Sequence, residues 1–105
     1  MKILIVAMAL LAALSTTASA ELTGCKLHSY LAGEIMTSRQ SGQQMATVID
    51  IVKAEAGNSR AVQIAQLIVV DAYESPRFST ENYKARAISE FKNKWYLRCF
   101  KAQNK

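Results

Sequence analysis

Two cysteines near opposite ends of the chain limit its fold more than any other feature. Cys25 and Cys99 are the only cysteines among 105 residues. In a short exported chain, two cysteines read as one disulfide, for which a single pair allows one intramolecular connectivity; two free or intermolecular thiols are the alternative. The bridge would close a loop of about 75 residues, for which the chain-entropy model gives about 4.5 kcal/mol. That is comparable with the whole net stability of a small domain. Both cysteines must then face one interior, so the elements that carry them must pack together.

Export is read from the first twenty residues. Met1-Lys2 gives a positive start, Ile3 to Leu14 is an unbroken run of twelve apolar residues, and Ala18-Ser19-Ala20 closes a small, mildly polar stretch. These are the three regions of a cleaved secretory signal. Twelve residues rise about 18 Å as a helix, against a hydrocarbon core of about 30 Å. An N-terminal membrane anchor is the alternative. Nothing after Ala20 is apolar over a spanning length, so no transmembrane segment is expected in residues 21–105, which form one small domain. Leu22-Thr23-Gly24-Cys25 also matches a bacterial lipobox. Against lipidation, ten residues including Glu21 separate the apolar run from Cys25, and Cys99 would be left as a lone thiol.

Helical periodicity dominates the domain, and strand-like alternation is missing. A first helix is expected from Leu22 or Thr23 to Gln40, with Thr23 as N-cap, Cys25, His28, Leu31, Ala32, Ile35 and Met36 inward, and Gly42 as its stop. A second fits Gln43 to Ala56, with Met45, Val48, Ile49, Val52 and Ala56 on one face. Gly57 ends it, and Asn58 or Ser59 caps a third helix over Arg60 to Glu74. Ala61, Ile64, Ala65, Ile68 and Ala72 share one side of that helix. Val62, Leu67, Val69, Val70 and Tyr73 spread its apolar surface nearly all round, the pattern of a buried central helix. Pro76, the only proline, follows its end. A fourth helix is expected from Thr80 to Lys101, with Ser79 as N-cap and Phe78 and Tyr83 as a hydrophobic staple. Its stripe of Ile88, Phe91, Trp95, Cys99 and Ala102 puts Cys99 toward the core. The expectation is an all-α, four-helix array whose first and last helices are joined by Cys25–Cys99.

The formal charge of +5 is unevenly spread. Residues 21–76 hold four basic and six acidic groups, while residues 77–105 hold eight basic and two acidic. No catalytic or metal constellation stands out. There is one histidine, the cysteines are committed to each other, and the four glycines are isolated. His28 reads as a half-buried packing residue. Asp50, Glu55, Asp71 and Glu74 read as solvated charge on polar faces. No cofactor is expected. What remains is a surface: Lys94, Arg98, Lys101 and Lys105 recur at helical spacing on the last helix. Tyr96, Leu97 and Phe100 point away from its Trp95 stripe. Those three either pack on other helices, making the last helix central, or form a patch edged by basic residues.

The layout of Cys25, the segment Glu34 to Gly42, Met45, the segment Ala72 to Ser79, Phe91 and Cys99 resembles a group of small secreted helical proteins of bacteriophages, prophages and proteobacteria. The likeness covers nearly all of the chain after residue 20. Its most specific parts are Arg39-x-x-Gly42 and Tyr73-x-x-Pro76. It implies origin and a periplasmic or secreted setting, and it brings no activity or site residue with it.

The expected role is a non-enzymatic protein-binding module of the periplasm, a phage-derived inhibitor or superinfection-exclusion factor being one form. Its binding residues would be Lys94, Arg98, Lys101, Lys105, Tyr96 and Phe100. Its partner would be an envelope or phage protein with an acidic surface, or else an anionic envelope polymer or lipid. Export makes nucleic acid an unsuitable partner. The alternative is a chaperone-like protein of periplasmic acid stress.

Overall fold

The computed structural model describes residues 24–55, 57 and 59–104. These form α1 (Gly24–Gln40), α2 (Met45–Glu55), α3 (Ser59–Glu74) and α4 (Glu81–Gln103), with no strand among the described residues. Cys25 and Cys99 are bonded, with their Cα atoms 5.4 Å apart, so the first and last helices are joined as their inward faces required. The expected leader over residues 1–20, the caps Thr23 and Asn58, and Ala56 and Lys105 lie outside the described residues.

The central helix is α1. It packs along α4, lays a second face on α3 and only brushes α2, which is held mainly by α3. The core draws on all four: Ala32, Ile35 and Met36 from α1, Val48 and Val52 from α2, Ala65, Ile68, Val69 and Ala72 from α3, and Phe91 and Trp95 from α4. On the α1 side of its contact with α4, Gly33 leaves room for a side chain of the facing helix. The aliphatic stem of Lys92 lies over it, and a Cβ there would sit 2.9 Å from Lys92 Cδ.

The expectation of a buried central third helix is overturned. Leu67 is 61% exposed and Val70 44%. Apolar residues surround α3, but α4 packs on α1 and leaves the outer side of α3 uncovered. On α4 the inward stripe stops at Cys99, and Ala102 is exposed. On α2, Val48 and Val52 are buried, whereas Met45 at its start is exposed.

The cap of α4 is Thr80, not Ser79. Thr80 has extended backbone (φ −106°, ψ 150°), and its Oγ1 accepts from the Tyr83 amide at 3.3 Å. With that cap the staple positions would be Ser79 and Lys84. The Phe78 and Tyr83 rings nevertheless stack, with centroids 5.9 Å apart.

The end of α1 locks onto the turn after α3. Gly42, at φ +87°, closes a Schellman motif: its amide donates to the Arg39 carbonyl, and the Gln43 amide donates to that of Ser38. Gln40, 2% exposed, sends Nε2 to the Pro76 carbonyl and accepts the Phe78 amide on Oε1, both at 2.9 Å. The Arg77 Nε donates back to the Gln40 carbonyl at 3.2 Å. Arg39 donates to the Ser75 carbonyl through Nε and Nη2, and its guanidinium lies 5.2 Å from the Tyr73 ring centroid. The Tyr73 hydroxyl donates to the Gln43 carbonyl at 2.7 Å. Arg39-x-x-Gly42 and Tyr73-x-x-Pro76 are thus two halves of one latch that satisfies backbone groups left over by two helix ends.

Candidate binding surface

From residue 91 to 103, α4 carries Lys92, Lys94, Arg98 and Lys101 and no acidic residue. Residues four apart on a helix stack in rows. Lys92, Tyr96 and Phe100 make one row, Leu97 and Lys101 the next, and Lys94 and Arg98 the one beyond. The buried row of Phe91, Trp95 and Cys99 fixes the others by pinning α4 to α1. The large side chains are therefore held outward: Tyr96 is 41% exposed, and Leu97 and Phe100 are each 50%. Of the two arrangements open from the sequence, packing inside or forming a patch, the structure shows the exposed one. An apolar strip lies between Lys92 on one side and Lys101 with Arg98 on the other.

The basic residues are not equivalent. Lys94 is engaged within the fold: its Nζ lies 3.0 Å from Asp71 Oδ1 and 2.9 Å from Oδ2, and 5.9 Å from the Phe91 ring centroid. Arg98 stacks its guanidinium 4.9 Å from the Trp95 ring centroid. Lys101 is exposed and enters neither ion pair found among the described residues. The strip therefore presents Tyr96, Leu97 and Phe100 with Lys101, Lys92 and the outer edge of Arg98.

Asp71 is the residue that sequence reasoning misses. It is no solvated charge, because its Oδ2 also accepts the Trp95 indole N–H at 3.0 Å. The clue is in the chain: a buried tryptophan needs an acceptor for its one donor. Asp71 thereby ties α3 to α4, which otherwise barely meet. Leu97, too, belongs to the strip as fully as Tyr96 and Phe100.

His28 is half-buried on α1, and desolvation lowers its pKa from the ordinary 6.5, favouring the neutral imidazole. Tyr73 is shifted above 10.0 by burial, partly offset by the Arg39 charge. Among the described residues, no three His, Cys, Asp or Glu side chains converge as a metal site, and no helix is long and apolar enough to cross a membrane. The disulfide suggests an oxidising, extracytoplasmic compartment. No family model, curated protein or solved structure matches the chain.

Proposed function

We propose that this is an exported, non-enzymatic binding module that docks through the outer face of α4. The carrying observation is the strip of Tyr96, Leu97 and Phe100, three large side chains held in solvent by the burial of the opposite row. Aromatic residues beside arginine are the composition of interface hot spots. The flanking cations give the partner its character: an apolar patch rimmed by carboxylates, on a protein of the cell envelope. Two copies of α4 placed face to face would oppose Lys92 and Lys101 to like charges, which disfavours self-association. A periplasmic or secreted location and a phage-related role as inhibitor or exclusion factor are part of this proposal. They rest on the leader-like residues 1–20, the disulfide and the resemblance of the Arg39 and Tyr73 motifs.

Photo-crosslinking in intact cells tests the proposal. A benzophenone residue at position 97 should give one discrete adduct with an envelope protein, and the same residue at position 82 should not. Phe100→Asp and Lys101→Glu should each weaken the adduct. Equal labelling from positions 97 and 82, or an adduct indifferent to both substitutions, would remove α4 as the docking element.

A further inference from the structure

We propose that the open cleft bordered by the start of α1, the end of α2 and the start of α3 binds a single-chain anionic amphiphile. The class is that of a medium-chain fatty acid, with its tail along Leu27, Leu31 and Val52 and its carboxylate at Arg60. This site is separate from the α4 strip. The cleft consists of two adjoining hollows of about 270 and 210 Å³ that share Leu27, Leu31 and Ala61. It exists because α2 leans on α3 and scarcely touches α1, and because α3 offers only Ala61 and Ala65 where longer side chains would fill the gap. Apolar walls with few polar groups are the usual form of a small-ligand site.

Charge gives the ligand its head and its direction. Glu55 borders only the larger hollow, and Arg60 only the smaller. A carboxylate is repelled at the first end and paired at the second. Arg60 is exposed and enters neither ion pair found among the described residues. His28 also lines the smaller hollow. An imidazole carries at least one N–H donor, so it adds a polar group at the same end as Arg60.

Calorimetric titration of the oxidised, exported protein tests this with hexanoate, octanoate and decanoate below their micelle thresholds, and with decanol. Affinity should rise about fourfold with each methylene until the cleft is full. Decanoate should bind more tightly than decanol. Arg60→Glu should weaken decanoate about tenfold and leave decanol unchanged. Ala61→Phe should block both ligands while circular dichroism shows native helicity. No binding, affinity independent of chain length, or decanoate binding unaltered in Arg60→Glu would each overturn the proposal. Arg60 lies on the rim, so the Arg60→Glu titration remains decisive even if Ala61→Phe fails to fold.

Discussion

The two ends of this molecule are held by different physics. At the latch end, α1, the turn after α3 and the lead into α4 are joined by directional hydrogen bonds from Arg39, Gln40, Tyr73 and Arg77 to backbone carbonyls, and from the Phe78 amide to Gln40. At the other end the start of α1 is bonded to the close of α4 by the disulfide, beside a cleft that the described residues leave open. Between them, Asp71 ties α3 to Lys94 and Trp95. A small domain has too little interior to fix every contact by burial. Here one end compensates with polar geometry and the other with a crosslink.

The largest test of this contrast is reduction, or the double change of Cys25 and Cys99 to serine. Urea unfolding should register a loss of about 2–5 kcal/mol. Hydrogen exchange should show where it falls: amides at the start of α1 and the close of α4 should lose protection first, while those of residues 36–43 keep theirs. Uniform loss would mean that the ends are not separable. Gln40→Ala should cost about 2–4 kcal/mol, because it leaves a void and orphans the Pro76 carbonyl and the Phe78 amide. Its exchange pattern should be the inverse of the reduced protein's.

Gly42→Ala is smaller, at about 1–2 kcal/mol in thermal or urea unfolding, since alanine resists the left-handed conformation that residue holds. Its Cβ would also meet the Arg77 guanidinium 2.9 Å away. A neutral result would show that the Schellman turn contributes little to the latch.

The smallest effects are those of pH, and they separate the ends by sign. Tyr73 titrates higher folded than unfolded, so its contribution is intact below pH 10.0 and is lost as pH rises through the folded value. Alkali should therefore loosen the latch, and Tyr73→Phe should flatten that limb while losing the bond to Gln43. His28 titrates lower folded than unfolded, so the unfolded chain binds the extra proton and stability falls as pH drops below 6.5. That loss should centre on the disulfide end, and His28→Leu should reduce it. Stability-against-pH curves of both variants that parallel the wild type would assign the slopes to other groups.

Helix number, type and most boundaries were legible in the sequence because period and breakers act locally. Gly42 and Pro76 stop helices where they stand, and Cys25 and Cys99 declared a common interior. The packing order was not legible. Leu67, Val69 and Val70 give α3 an apolar surface on every side, and only the three-dimensional choice of α4 for α1 decides which of them is covered. Gln40 was invisible for a related reason: its partners are backbone groups of residues 76 and 78, and no side-chain pattern marks a carbonyl or an amide. The α4 strip was half legible. Its spacing placed Tyr96, Leu97 and Phe100 off the inward stripe, but their exposure depended on what else reached that face.

Trp95 is the chain's only tryptophan. It sits with its indole N–H on Asp71, its face under Arg98 and its row backing the α4 strip. The protein therefore carries its own fluorophore at the junction of the core and the exposed α4 strip. Movement of α3 away from α4, or capture of Arg98 by a partner's carboxylate, alters the surroundings of that one ring, so emission can follow either event without a dye or tag.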